Sequence, residues 1–409
     1  MSSPPSRPLW QGRALALVGI VLFAFSLRTA VAALSPVLAF VGADFAVPPA
    51  VVGLIGTAPP ACYAVFGILT PQLERRFGLE RLAVVAMVVA VVGMTWRGLA
   101  VDATTLLLST ALIFAAVGVG NILLPPLVKK YFPDRIGLMT TVYSTTLAIA
   151  TFVPPLVAVP VADAAGWRFS LGLWAVFAAL ATIPWIVLLV RPRPAGSGGG
   201  IVTASTSAFR RLWALPLTWA LVAAFAMSGV LVYTALAWLP TFLVDEAGVT
   251  PAAAGALLSL FAAMGLPCSL LVPVLVVRYN ATGVLFAVSV AAGLAGIAGL
   301  LVAPQAATWL WIVLLGISPL LFPLTLVLLG LRTRNHETAV ALSAFVQSIG
   351  YAIVAIFPFG IGLIHGWTDA WTLPLLILAG VIGAAIPAGF IAARRHTVED
   401  EWERRHGAW

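Results

Sequence analysis

Apolar residues run through this chain in long blocks, and short polar breaks separate one block from the next. Twelve blocks can be drawn, at 14–41, 50–70, 82–101, 104–128, 138–162, 168–190, 216–243, 251–277, 283–302, 307–330, 338–364 and 370–392. Each has about the 20 residues that a helix needs to cross a hydrocarbon core roughly 30 Å thick. No water is available there to satisfy a backbone N–H or C=O, so an apolar block must close its hydrogen bonds within itself, as a helix. The pattern predicts an all-α integral membrane protein of twelve transmembrane helices, with the whole chain as membrane domain.

Composition strengthens this reading. Hydrophobic residues make up 62% of the sequence and charged residues 9%, with a mean hydropathy of +1.08; soluble domains carry about 25% charged residues. The charges also orient the chain. All 22 Lys and Arg except Arg28, Arg97 and Arg168 fall on one set of loops and on the tails, while Asp44, Asp102, Asp163, Asp245, Glu246 and Asp369 mark the other set. The positive-inside rule then places both termini in the cytoplasm of a multi-pass protein of the cell inner (plasma) membrane. The net charge of +8 is scattered over separate loops, which makes it a topology signal and excludes a nucleic-acid-binding stripe. The N-terminal "MSSPPSRPLWQGR" leads into a span too long for a cleavable signal. Cys62 and Cys268 lie in apolar blocks without metal-ligand company, so they read as packing residues, and neither metal nor cofactor is expected.

The stretch "RPRPAGSGGGIVTASTSAFRR" at 191–211 divides six blocks from six and has the composition of a linker. The expected organisation is an N-terminal half at 1–190, a cytoplasmic linker at 191–215, a C-terminal half at 216–392 and a cytoplasmic tail at 393–409. Weak internal matches recur at an offset near 200: "PQLERRFG" at 71 with "PVLVVRYN" at 273, "LLPP" at 123 with "LLFP" at 320, Gly166-Trp167 with Gly366-Trp367, and "TAVAAL" at 29 with "TALAWL" at 234. Together they predict two pseudo-symmetric six-helix halves, in which Arg28 of the first helix corresponds to Tyr233 of the seventh.

Twelve helices in two halves, the basic central linker and the loop "GILTPQLERRFGLER" resemble the major facilitator superfamily. Within it, "SLRTAVAALSPVL", "GVGNILLPPLVKKYFP", "YSTTLA" and "GWR" resemble the cyanate and nitroimidazole transporter family. The loop departs from the superfamily pattern: Arg75 stands where an Asp is expected and Leu79 where an Arg is expected. The resemblance implies a secondary transporter with its cavity between the halves, lined by helices 1, 4, 7 and 10, with 2, 5, 8 and 11 at the seam.

Arg28 is the chemically conspicuous residue. It sits in the middle of "VLFAFSLRTAVAALSP", where a central Arg costs about 2.5 to 3.5 kcal/mol even on the milder insertion scale. No Asp, Glu or His lies near the centre of any predicted span. A cation without an internal counter-charge suits a small anionic or compact polar solute, held through charge-assisted hydrogen bonds; bonding to carbonyls is the structural alternative. Phe25, Ala32 and Ser35 share the Arg28 face by helical spacing.

Further candidates for substrate contact are Tyr63, Asn121, Tyr143, Thr146, Tyr233, and Gln347 and Tyr351, which form a polar stripe with Ser343. Each has a competing reading as an interhelical brace. Arg97, beside Trp96, is read as a snorkelling residue or a partner of Asp102, with an entrance role for anions as the alternative. Trp238 is read as an interfacial aromatic or a cap on the cavity, and Arg168 as an anchor.

The expected function is transport by alternating access around Arg28, as a monomer in the lipid bilayer. The missing carboxylates disfavour a carboxylate relay and leave facilitated diffusion, exchange or a substrate-borne proton open. Resemblance implies cyanate, nitrite-like ions, nitroimidazole-like solutes or small carboxylates. The alternatives are multidrug or metabolite efflux and a non-transporting receptor or scaffold. An enzyme would need nucleophile, base or metal ligands converging at one depth, and none do.

Overall fold

The computed structural model describes residues 13–190, 210–334 and 336–407, so most of the predicted linker and Arg7 lie outside the described residues. Twelve helices are long and apolar enough to cross a membrane, and no strand occurs among the described residues. In chain order they are α1 (Ala14–Asp44), α2 (Pro49–Phe77), α3 (Leu79–Gly98), α4 (Ala103–Tyr131), α5 (Ile136–Ala165) and α6 (Trp167–Val190). Then follow α7 (Pro216–Ala247), α8 (Pro251–Tyr279), α9 (Thr282–Val302), α10 (Thr308–Leu331), α11 (Thr338–Thr368) and α12 (Thr372–Ala392). A short polar helix, α13 (Val398–His406), ends the described chain.

Several hydroxyls inside the spans close on their own helices: Ser26 donates to the Leu22 carbonyl, Thr110 to Leu106, Thr151 to Leu147 and Thr325 to Leu321. Proline places the principal breaks. In α1 the α-helix stops at Ala32 and passes through a 3-10 turn at Ser35–Val37 containing Pro36. In α10 the same occurs at Ser318–Leu320 around Pro319.

The internal matches behave differently from one another. "PQLERRFG" and "PVLVVRYN" both end at a tight turn with positive φ, Gly78 at +82° and Asn280 at +53°; Asn is the non-glycine residue that best tolerates that region. The Gly-Trp pairs do not coincide in this way. Gly166 is the turn before α6, whereas Gly366 lies inside α11 and the turn comes later, at Asp369.

Packing divides the seam between the halves into two unequal parts. At the face opposite the termini, α2 lies against α11 and α5 against α8. Glycines bring these backbones together: a Cβ on Gly53 would come within 2.8 Å of the Phe359 Cα, one on Gly255 within 2.7 Å of the Pro155 carbonyl oxygen, and one on Gly362 within 2.8 Å of the Pro49 carbonyl oxygen. Toward the face that carries the termini, α5 has no buried residue from Thr141 to Ile149, although Ala150, Pro154, Pro155, Ala158 and Val159 are buried. The α5–α8 side of the seam is closed at one face and parted at the other.

The tail is more than the basic extension read from sequence. Asp400 and the Thr397 hydroxyl form a capping box at the start of α13, and Asp400 and Glu403 pair with Arg334 of the α10–α11 loop. Glu401 accepts from the Leu217 amide at the start of α7, and Trp402 lies under Arg211.

Candidate substrate site

Arg28 projects from α1 in the span's middle third into a cage of three tyrosines from α2, α7 and α11. Its Nη1 donates to the Tyr233 hydroxyl at 3.2 Å, and its guanidinium carbon lies 6.0 Å from the Tyr63 ring centroid, within cation–π range. The rings close on one another edge to face: Tyr63 to Tyr351 at 5.2 Å, Tyr63 to Tyr233 at 6.2 Å and Tyr233 to Tyr351 at 6.4 Å. Tyr63 and Tyr233 are buried, whereas Arg28 and Tyr351 keep partial exposure. Because the cage draws on both halves, that exposure faces the space between them. Among the described residues no carboxylate lies within ion-pair distance of Arg28. The Tyr63 hydroxyl is buried without a hydrogen-bond partner of normal geometry.

Four residues singled out from sequence, Arg28, Tyr63, Tyr233 and Tyr351, therefore meet at one point. Gln347 lies one turn from Tyr351 on the same helix and donates to the Ser343 hydroxyl at 2.8 Å. Asn121 donates to the Val117 carbonyl of its own helix at 3.1 Å. It shares a face of α4 with Phe114, two turns away, and Phe114 lines the cavity described below. Thr146 bonds back to the Val142 carbonyl, and no described contact joins Tyr143 or Thr146 to the Arg28 cage.

Several expectations need correction. Arg97 neither snorkels nor pairs with Asp102: it is fully buried and donates from Nη1 to the Ala30 carbonyl at 2.9 Å. Asp102 is occupied instead as the N-cap of α4, in a capping box with Thr105. Trp238 is no interfacial residue; it is buried, donates to the Pro358 carbonyl at 2.9 Å and packs on Trp371, bracing α7 against α11 and α12. Phe25 does not line the Arg28 face, because its ring rests on Trp174 and Phe177 of α6. Arg168 is held by Asp44, which also accepts from the Trp167 indole at 3.0 Å, so this anchor is a cluster joining the ends of α1 and α6.

Behind the cage, on the closed side, lies a cavity of about 30 Å³ lined by Ala30, Leu34, Ser35, Pro59, Arg97, Phe114, Tyr233 and Leu236, among others. Arg28 does not line it. Tyr233 forms its boundary with the cage.

The Major Facilitator Superfamily model matches residues 19–358. This chain belongs to that superfamily. Its relatives include the "Uncharacterized transporter YycB" of Bacillus subtilis (strain 168), 30% identical over 96% of both chains. The 2-nitroimidazole transporter of Escherichia coli (strain K12) is 28% identical over 90% of this chain and 93% of its own. The cyanate transport protein CynX of the same organism is 24% identical over 90% and 95%. Among solved structures, a bacterial homologue of the human lysosomal transporter Spinster superposes with a TM-score of 0.74 at 14% identity, covering 97% of this chain and 99% of that one. A point mutant of the nucleoside transporter NupG gives 0.73 at 12% identity, covering 93% and 100%. The protein is a membrane transporter and not an enzyme.

For a superfamily transporter, the residues that join the halves matter as much as those that line the cage, and sequence reading missed most of them. Thr57 of α2 donates to the Ala355 carbonyl at 2.7 Å and accepts from the Phe359 amide at 3.2 Å. Ser35 donates to the Ala237 carbonyl at 3.2 Å. Glycine and small hydroxyl residues are so frequent here that nothing local distinguishes these from the rest. The usable signal was proline: Pro36 and Pro358 sit beside the two contact points, where they interrupt the regular helix.

Proposed function

We propose that the protein carries a small monovalent anion, or a compact polar solute with a planar acceptor group, by alternating access between the halves at 1–190 and 216–392. The observation that carries this reading is Arg28 in its cage: a permanent cation at mid-span, facing three aromatic rings and no carboxylate. A guanidinium offers five N–H donors in a planar fork, and the Tyr233 hydroxyl answers only one of them. A carboxylate, nitrite, cyanate or nitro group supplies the missing acceptors and, for the anions, the missing charge. The ring faces fit a flat solute. The names of the relatives, a 2-nitroimidazole transporter and a cyanate transport protein, agree with such a solute class.

Alternating access follows from the seam. The parting of α5 from α8 beside the termini supports access to the cage from that face, which by the distribution of basic loops is the cytoplasmic one. A bound anion neutralises Arg28 and lowers the cost of enclosing it between the halves, so loaded carriers rock more readily than empty ones. No carboxylate relay is needed for this cycle.

The test is uptake of labelled cyanate, nitrite, 2-nitroimidazole and small carboxylates into proteoliposomes, paired with thermal stabilisation by the same solutes. Arg28→Gln should stay folded, lose at least 100-fold in transport and lose its response to anions. Arg28→Lys should keep part of the attraction and lose two-pronged geometry. Equal stabilisation of the parent and Arg28→Gln by every anion would remove Arg28 from the site.

A further inference from the structure

Arg97 is a second guanidinium without an anion, and it is more deeply enclosed than Arg28. Its side chain is wholly buried. Nη1 is used by the Ala30 carbonyl, while Nε and Nη2 are buried and have no hydrogen-bond partner among the described residues. Ala30 lies in the last turn of the first α-helical segment of α1, where carbonyls lack intrahelical partners, so this one bond acts as a brace. A neutral amide would brace it as well. What the guanidinium adds is a positive charge and N–H groups that no protein atom uses, an arrangement that is costly unless something else uses them.

The cavity beside Arg97 is where that partner fits. Besides Arg97 its wall carries two polar side chains, Ser35 and Tyr233, and the rest is apolar or backbone. Ser35 spends its hydrogen on Ala237. The Tyr233 hydroxyl accepts from Arg28 on the cage side, so Arg97 is the polar side chain of this wall with N–H groups to spare. At about 30 Å³ the space holds roughly two to three water-sized atoms, taking about 10–15 Å³ for each. Water can accept from the idle N–H groups but leaves the charge uncompensated.

We propose that this closed cavity is a second anion site, separate from the Arg28 cage, in which Arg97 holds a monovalent anion of one to three heavy atoms through its unused N–H groups. Tyr233 stands between the two sites: its hydroxyl accepts from Arg28 and its side of the wall borders the cavity. An anion leaving the cage toward the closed face passes from one guanidinium to the next, so the two sites form consecutive stations across the seam. The second site does not depend on Arg28 being a binding residue.

The test uses the purified full-length chain with bromide and cyanate as probes. Bromide is located by anomalous scattering in crystals, and both ions are titrated by thermal shift. The parent and Arg28→Gln should show bromide beside Arg97, and Arg97→Gln should not. Without added anion, Arg97→Gln should melt at or above the parent, because it keeps an amide for the Ala30 carbonyl and removes an unpaired charge. Its apparent affinity for bromide should fall at least tenfold. Arg97→Lys, which keeps the charge, should retain a measurable bromide response and covers the case in which Arg97→Gln does not fold. Bromide binding that is lost in Arg28→Gln and unchanged in Arg97→Gln would overturn this site while leaving the Arg28 reading intact. The reverse pattern would support this site and remove Arg28 instead. A loss of melting temperature in anion-free Arg97→Gln, restored by Arg97→Lys with no bromide response, would reduce Arg97 to a brace and overturn the proposal.

Discussion

The two faces of the seam between the halves are held by different physics. At the face opposite the termini, the halves meet backbone to backbone: glycines set the separation, and Ser35 and Thr57 supply hydrogen bonds across it. At the face carrying the termini, ion pairs tie each half to itself. Arg13 holds Asp134 and Lys130 holds Glu80 in the first half; Arg334 holds Asp400 and Glu403 in the second. None of these pairs crosses the seam. Steric contact decays within an ångström or two, whereas charge acts over several. The closed face is thus a shape-dependent latch that lets go abruptly, and the charged face keeps each half rigid while it moves.

The strongest way to break this contrast is to fill the latch. A Cβ on Gly56 would stand 2.6 Å from the Ala237 Cβ and 2.9 Å from the Pro358 Cβ, so Gly56→Leu cannot be accommodated without parting α2 from α7 and α11. Overpacking of this kind costs about 3 kcal/mol, which shifts a two-state equilibrium roughly 100-fold. Leu236 lines the closed cavity and serves as reporter: Leu236→Cys, in a background lacking Cys62 and Cys268, should be labelled by an impermeant maleimide from the face opposite the termini only when Gly56→Leu is also present. Transport should fall in parallel. Unchanged labelling would mean that this face is not the barrier.

A gentler change sharpens the same point. Thr57→Val keeps the shape of the side chain and removes both its hydrogen bonds, leaving the Ala355 carbonyl and the Phe359 amide to find other partners. At about 1 kcal/mol for each bond, the closed arrangement should lose about 2 kcal/mol, a roughly 30-fold shift in the same labelling assay. Tyr233→Phe comes next. It removes the hydroxyl that accepts from Arg28, and anion affinity measured by thermal shift should weaken about fivefold, the equivalent of one hydrogen bond.

These residues also mark what could be read from sequence. The twelve helices were legible, with α2 running past its expected end at 70 to Phe77, and so was Arg28 as a central charge without a carboxylate nearby, because continuous apolarity and a lone central charge are large, local signals. Tyr233 was reached through the repeat and Tyr351 through a polar stripe at helical spacing, whereas Tyr63 was a candidate with no pattern behind it. Arg97 was misplaced because its distance from the nominal end of α3 in sequence says nothing about which way it faces, and the capping demand of α4 on Asp102 removed the expected partner. The glycine latch was invisible, since close approach is a property of pairs of helices and the chain has 36 glycines. Asn121, Tyr143 and Thr146 carry polar groups that their own helices can satisfy, so polarity alone did not place them around Arg28.

The smallest expected effect lies at the charged face. The amide of Thr397 and the Arg334 guanidinium hold the Asp400 carboxyl down to about 2, below the ordinary value near 3.9. A depressed carboxylate stabilises the docked tail at any pH above its unfolded value, and that contribution is lost as pH falls from about 4 through about 2. Arg334 and its two partners are substantially exposed, so the pairs are screened and count for little individually. Arg334→Ala should therefore raise hydrogen exchange in α13 (Val398–His406) only about threefold at neutral pH and should leave transport within about twofold of the parent. Maleimide labelling at the opposite face should not change at all, because this ion cluster fastens the second half to its own tail. An Arg334→Ala protein that opened the closed face would show that the two faces are coupled through α13, and the division between a steric latch and self-contained charged halves would no longer hold.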